Sequence, residues 1–505
     1  MIDAHLPVLQ IVIPLLTSPL CILVRANRRV MALVIATCWL VFAMSCRLLY
    51  LVSQQGAITY QLGGWPAPWG IEYRVDGLSA LILLIVSGMG AIVITYAPTS
   101  VDREIPVEQQ TLFYTLYLLS LTGLLGIVIT GDLFNLFVFL EISSLSTYAL
   151  ISLGKHRRAL VAAFQYLVMG TIGATFILIG IGLTYQITGG LNMADLASLL
   201  TQYTGDHATN RTVLVAFAFL SVGISLKMAV FPLHQWLPNA YTFAPSVVTA
   251  FLAATATKVS VYVLLRVTYT IFKPHFAFEL MPLDVELMGL ALIGILWSST
   301  AAIFQQNLKR LLAFSSIAQI GYIVLGLSLA SVGGVTASVL HIFNHALIKG
   351  GLFMATGCLA LRLPSLDLKH LHGIGRRMPW TATAWAIGGL GLIGVPLTSG
   401  FVSKWYLIVS LLGTGTETNE WRLDHLAAVL VIGASLLAAI YVWRFVDVAF
   451  FREPTAEVEA ATEAPLRMLL PTYFVIGLTL VFGVWPTLPT QLAAQAASAV
   501  IGSTH

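Results

Sequence analysis

The sequence predicts an all-α polytopic membrane protein. Two observations carry that class. Of 505 residues, 58% are hydrophobic and only 10% charged, with a mean hydropathy of +0.88; soluble domains carry about 25% charged residues. The apolar runs are continuous and about 20 residues long, the length that spans a bilayer as helix. A β-barrel would instead alternate over about ten residues. The net charge of +4 implies nothing about nucleic acid.

The runs fall at 6–24, 30–53, 77–98, 111–130, 133–153, 160–187, 211–241, 245–272, 283–304, 310–330, 333–361, 380–412, 425–451 and 468–487, about fourteen in all. The first has no basic stretch before it and no small-residue cleavage site, so it reads as a membrane helix rather than a removed signal. The loop at 54–75 reads as a short hairpin around its Trp-Pro-Ala-Pro-Trp-Gly turn. Leu191–Tyr203 reads as an amphipathic surface helix. The loop Arg452–Arg467, with four glutamates, reads as a mobile surface segment, and the end of the chain as a tail. The four cysteines show no CxxC or metal spacing and read as small apolar residues.

Basic residues test the alternation, because short inner loops collect Lys and Arg. With the N-terminus outside, the inner loops carry Arg25, Arg28, Arg29, Arg103, Lys155, Arg157, Arg158, Lys309, Arg310, Arg362, Lys369, Arg376, Arg377, Arg452 and Arg467. The outer loops carry Arg74, Arg211, Lys273 and Arg422. Fifteen against four places both termini outside, in the inner (plasma) membrane of a bacterial cell.

The seventh and twelfth runs are interrupted at Pro232 and Pro396, each with a lysine nearby (Lys227, Lys404). Matching breaks point to two inverted repeats. The expected organisation is 1–110 for three N-terminal helices and the hairpin, 111–272 and 283–451 for the repeats, and 452–505 for the loop, last helix and tail.

Charges inside the membrane cost roughly 2.5–3.5 kcal/mol or more each and mark function. Glu141 lies about two turns into the fifth run. Lys227 and Lys258 are mid-membrane. Burial favours the uncharged form of a lysine and a nearby carboxylate the charged form, so moving the carboxylate switches proton holding to release. A static ion pair is the plainer alternative. His341, His345 and Lys349 recur at i, i+4 and i+8, on one helix face. They read as a proton relay, with structural hydrogen bonding or a metal pair lacking a third ligand as alternatives. Lys404, past the second break, reads as the far end. His234 lies in the first break and either admits water or caps a helix end. Arg444 and Asp447, three apart, read as an ion pair or an accessory site. Such an axis needs no cofactor, metal or catalytic group of its own. The ions implied are protons and a monovalent cation.

The stretches GDLFNLFVFLE, SLKMAVFPLHQWLPNAYTFAPS, ATKVSVYVLLR, HIFNHALIKGGLF and GVPLTSGFVSKW resemble the antiporter-like subunits shared by respiratory complex I and the Mrp-type Na⁺/H⁺ antiporters. The resemblance runs from about Leu6 to Pro486. The GGWPAPWGI loop and a lysine in the twelfth-run motif make the D-type Mrp subunits the nearest kind, and the length argues against the longer A-type. The resemblance implies that Glu141, Lys227, Lys258 and Lys404 take the places of the key charged residues of runs five, seven, eight and twelve. His341 and His345 fall in the central histidine region. It also implies partner membrane subunits and sodium extrusion. Membership in a redox complex, as part of an NADH:quinone oxidoreductase or a hydrogenase, stays open, as does a purely structural scaffold. Leu397 stands where the family often has a second proline, so a milder second break is expected.

Overall fold

The computed structural model describes residues 2–24, 27–203, 211–413 and 423–502; Arg25 and Arg422 of the basic count lie outside the described residues. The chain is helical almost throughout. Helices α1 (Ile2–Val24) and α2 (Asn27–Gln55) precede an antiparallel hairpin of β1 (Ile58–Gln61) and β2 (Glu72–Val75). Then follow α3 (Gly77–Glu104), α4 (Val107–Ile129), α5 (Leu133–Ser152), α6 (Arg157–Thr188), α7 (Met193–Leu200), α8 (Arg211–Met228) and α9 (Trp236–Phe243). Next are α10 (Ser246–Ala254), α11 (Ala256–Leu265), which runs on as a π-helical turn to Ile271, α12 (Leu283–Phe304), α13 (Leu308–Ser328) and α14 (Val332–Arg362). Last come α15 (Ile374–Arg377), α16 (Pro379–Ile393), α17 (Ser399–Gly413), α18 (Leu423–Val446), α19 (Ala456–Glu459), α20 (Leu466–Val484) and α21 (Thr487–Gly502).

Every predicted run holds a helix or a broken pair. Among the described residues, twelve helices are long and apolar enough to cross a membrane. The two other runs are α14, whose apolar face is interrupted by His341, Asn344, His345 and Lys349, and the split pair α16–α17. Arg103, Lys155, Arg157, Arg158 and Lys309 of the basic count line one common cavity, while Arg74 and Lys273 line another beside the hairpin. Helix α14 lies at the centre, packed against α10, α13, α16, α17, α20 and α21.

The repeat is visible in backbone hydrogen bonds. Asp132 caps α5, accepting from Asn135 N at 2.6 Å, and bridges to Asn192, which caps α7. Leu133 N donates to Leu191 O and Met193 N to Gly131 O, both at 2.8 Å. The second half repeats this. Asn307 caps α13 and bridges to Asp367; Leu308 N donates to Leu366 O at 3.0 Å and Leu368 N to Gln306 O at 2.8 Å. The first device sits at the hairpin face, where Gly131 N donates to Glu72 O. The second sits at the other face, where Lys309 Nζ donates to Ala244 O. One device at opposite faces is the mark of inversion.

Three expectations are corrected. The second break is not milder: α16 ends at Ile393, Gly394 and Leu397 take positive φ (85° and 74°), and α17 starts afresh at Ser399. A proline, held near −65°, could not adopt Leu397's conformation. The segment Arg452–Arg467 is a docked strap. Glu453 pairs with Arg376 and Glu457 with His370, while Glu463 accepts from Trp380 N, Thr381 N and Thr381 Oγ1 to cap α16. A carboxylate at a helix N-terminus meets the positive end of its dipole. The tail is in fact helix α21, whose Ala493, Ala496, Ala497 and Val500 are buried against α14 and α3.

At the hairpin face Arg266, at the end of α11, bonds Asp76, which caps α3, at 2.5 Å, and also Ser79 Oγ and Tyr262 Oη. Burial pushes the Asp76 carboxyl up, but Arg266, the Ser79 amide and Arg74 outweigh it and hold it at about 2. Arg266→Gln leaves that half-buried carboxylate without its cation, which costs about 3 kcal/mol. A lower melting temperature in detergent, relative to wild type, is the expected result. Because the folded value is depressed from 3.8, the stabilisation is complete above pH 3.8 and fades as pH falls toward 2. The difference between variant and wild type should shrink over that window.

Candidate functional site

The first break follows from its sequence. Pro232 lacks an amide hydrogen for the helix ladder, and Ala229 turns the chain with φ 60°. Helix α8 therefore ends at Met228, leaving unpaired carbonyls at its C-terminus. The Ala229 amide turns back to Leu226 O at 3.2 Å, Trp236 Nε1 donates to the same oxygen at 3.0 Å, and the Trp236 ring stacks on Tyr166 at 3.8 Å. Lys227 sits in this last turn, where the negative end of the helix dipole favours a cation.

Lys227 Nζ lies 3.4 Å from Glu141 Oε1, donates to Ser144 Oγ at 2.9 Å, and reaches Tyr148 Oη at 3.5 Å. Glu141, Ser144 and Tyr148 are spaced i, i+3 and i+7 along α5, so one helix face presents all three. The lysine side chain is 4% exposed and the glutamate 27%. Glu141 thus lies at the rim, in an outward stripe with Phe134, Val138 and Leu145. Beside Lys227 is a cavity of ≈ 30 Å³, lined by Ser143, Ser144, Thr147, Tyr166 and, from α11, Ser260. That is room for about two water molecules.

Lys258 is fully buried one turn after the kink at Thr255, and its Nζ donates to Ala253 O. The His341, His345 and Lys349 side chains of α14 lie within electrostatic range of it, and His341 within that of Lys404. His341 uses both ring nitrogens, with Ser403 Oγ at 2.8 Å and Gln319 Oε1 at 3.0 Å. The His345 ring stacks 5.9 Å away with neither nitrogen bonded. Lys349 turns from the histidines toward α13, donating to Leu312 O at 2.9 Å and to Ser315 Oγ.

Lys404 stands at the second break, on the half-helix that follows it. Its Nζ reaches across to the last carbonyls of α16, Leu392 O and Ile393 O, both at 3.0 Å, and to Ser435 Oγ at 3.1 Å. It also lies over the Tyr322 ring, 4.6 Å from the centroid. At the second break the lysine thus meets the carbonyl end of a half-helix, which is how broken helices hold cations; at the first, the lysine belongs to the last turn of the half-helix and its ammonium meets side chains of α5. In the first half Glu141 adds a carboxylate; in the second, an aromatic face stands there instead.

The remaining expected residues lie elsewhere. His234 is buried between Phe231 and Trp297, its ring 4.9 Å from the latter, and its Nδ1 is unbonded. Arg444 and Asp447 do not pair. Arg444 donates to Ile303 O and Gln305 O, while Asp447 holds Arg452 at 2.9 Å. Three residues apart on a helix they could meet, but Arg444 reaches the carbonyl end of α12 and Asp447 the arginine five residues on. The sequence reading missed Ser144, Tyr148, Ser315, Tyr322 and Ser435. For the first four, the hydroxyl-rich stretches ISSLSTY in α5 and FSSIAQIGY in α13 were the available signal.

The sequence profile described as NADH:quinone oxidoreductase/Mrp antiporter, TM matches residues 130–420. A protein named as the N-type subunit of an NADH-quinone oxidoreductase, from Desulforudis audaxviator (strain MP104C), is 41% identical over 493 residues, 95% of each chain. A protein named as the D-type subunit of a Na(+)/H(+) antiporter, from Alkalihalophilus pseudofirmus (strain ATCC BAA-2126 / JCM 17055 / OF4), is 30% identical over 454 residues, 90% of this chain and 88% of that one. Among solved structures, a chain of the Mrp complex from Dietzia sp. DQ12-45-1b superposes with a TM-score of 0.90 at 25% identity, covering 100% of this chain and 98% of its own. Two broken helices with a buried lysine at each, an inverted repeat, and these likenesses agree: the chain is an antiporter-like membrane subunit and belongs to the NADH:quinone oxidoreductase/Mrp antiporter transmembrane family.

Proposed function

We propose that this chain is the ion-translocating subunit of a multi-subunit monovalent cation (Na⁺)/proton antiporter. Protons move along Glu141, Lys227, Lys258, the His345–His341 pair with Lys349, and Lys404. The observation that carries this reading is the Lys227–Glu141 pair at 3.4 Å. It opens a row of buried titratable groups that ends at the second break. A purely structural role accounts poorly for so many: removing buried charges in favour of apolar groups is often neutral or stabilising. Glu141 supports the need for partners. A carboxylate on an outward membrane stripe is costly in lipid and calls for a neighbouring membrane subunit to cover it. The hairpin face is taken to lie outside the plasma membrane, since the loops on its side hold four of the counted basic residues and the opposite loops fifteen.

The 41% identity to a protein named for a quinone oxidoreductase supports a second reading, a proton-pumping subunit of a redox complex. The path would be the same and the driving force different. The test is Na⁺-dependent ΔpH in everted vesicles holding the whole complex. With Lys404→Ala we expect transport to fall about a hundredfold, the scale of losing a positioned proton-transfer group. Transport that persists at full rate would leave only a scaffold. Transport that needs NADH oxidation instead of a sodium gradient would favour the redox complex.

A further inference from the structure

A cavity of ≈ 740 Å³ opens where helix ends from both halves of the chain meet. Residues 154–158 and 242–245, at the α5–α6 and α9–α10 junctions, come from the first half. Lys309, at the start of α13, and residues 363–367, after α14, come from the second. The end of α3 closes it with Arg103 and Glu104. Five cationic side chains line it, Arg103, Lys155, Arg157, Arg158 and Lys309, against two carboxylates, Glu104 and Asp367. Both carboxylates are engaged. Glu104 accepts from Ser246 N at 2.8 Å and from Ser100 Oγ at 2.7 Å, and Asp367 accepts from Asn307 Nδ2 at 3.1 Å. Among the described residues, none of the five cations pairs with a carboxylate. Lys309 is buried, and its ammonium donates to a carbonyl, Ala244 O. Lys155 likewise donates to Arg103 O, and Arg158 lies 5.8 Å over the Phe243 ring.

The preference for basic inner loops accounts for these charges but not for their convergence. Arg376 and Arg452, counted with the same loops, each hold a carboxylate, Glu453 and Asp447. Around the cavity the surplus is left uncompensated. Gathered cations repel one another, and an anion between them turns that repulsion into attraction. We propose that this cavity binds an anionic ligand through its phosphate group. Arginine forks match the several oxygens of a phosphate, and the lysines add point charges. Phe243, Leu363 and Leu366 give the cavity an apolar wall. Its lining consists of helix ends and junctions, the level at which headgroup phosphates lie, so an anionic phospholipid is one source and free phosphate the other. Bound there, the phosphate ties the two halves together at one face. None of the buried groups of the proton path lines the cavity.

The test is titration of the purified whole complex in neutral detergent with phosphatidylglycerol, phosphatidylcholine or inorganic phosphate, followed by microscale thermophoresis. A saturable phase for phosphatidylglycerol, stronger than for phosphatidylcholine, is expected. Arg157→Gln/Arg158→Gln should weaken it about thirtyfold, the scale of two arginines near a membrane surface. Arg376→Gln/Arg452→Gln removes as many charges and should leave it unchanged. Arg157→Lys/Arg158→Lys keeps the charge without the forks and should fall between; should the glutamine pair fail to assemble, that weakening carries the test. Competition by millimolar inorganic phosphate makes soluble phosphate the occupant, and its failure to compete makes the lipid the occupant. Equal binding of the two lipids would overturn the inference. So would equal weakening by the two glutamine pairs, which is surface potential alone, or the absence of any saturable phase, which means that a protein segment of the complex fills the cavity.

Discussion

Lys227→Ala is expected to lower cation-coupled ΔpH in everted vesicles about a hundredfold, with the complex still assembled. The lysine is the first fully buried group of the row, and nothing beside it replaces its amine. Glu141→Ala should cost less transport but more stability. It leaves the Lys227 ammonium buried with only Ser144 and Tyr148 as partners, and an unpaired buried charge costs about 3–5 kcal/mol. The two residues act on one proton, so their effects should not add. The double variant should transport no worse than Lys227→Ala alone and melt higher than Glu141→Ala. Fully additive losses would show that the pair does not work as a unit. Glu141→Asp, which keeps the charge on a shorter arm, should fall between wild type and Glu141→Ala.

Much of this site was legible because charge is conspicuous where almost everything else is apolar. Glu141, Lys227, Lys258 and Lys404 stood out for that reason, and Pro232 and Pro396 placed the breaks. Spacing told which face of a helix a residue occupies but not what it meets. Lys349 shares a face with His341 and His345, yet its chain turns to Ser315 on α13. Arg444 and Asp447 share a face and still part company. Arg266 and Asp76 are 190 residues apart, and no periodicity joins them. The hydroxyls were missed for another reason. Ser, Thr and Tyr are ordinary in membrane helices, where many Ser and Thr hydroxyls bond back to their own backbone, as Ser146 does to Ile142 O, and Tyr hydroxyls bond a neighbouring helix, as Tyr117 does to Gly90 O. Only the fold shows which ones face a lysine. The strap was misread because four glutamates in a short loop look solvated, whereas three of them find partners in Arg376, His370 and the start of α16.

Gly400→Ala should destabilise the fold by about 3 kcal/mol, at the upper end of what overpacking costs. The residue opens α17 just past the second break, and there α17 presses on the end of α16. A Cβ on Gly400 would overlap the carbonyl oxygen of Gly391 and crowd Ile348. The obstacle is backbone, so it cannot swing away as a side-chain tip would. Relief requires α16 and α17 to separate. The carbonyls of Leu392 and Ile393, one and two residues beyond Gly391, would then shift from Lys404. The variant should therefore lose transport as well as melting temperature, although no titratable group has changed. Gly182→Ala on α6 is the control. Its Cβ would meet nothing within 4 Å, and replacing a glycine inside a helix gains about 0.5–1 kcal/mol. That variant should melt slightly higher and transport normally. If Gly400→Ala behaved the same way, the close seat of α17 on α16 would not be what holds Lys404 in place.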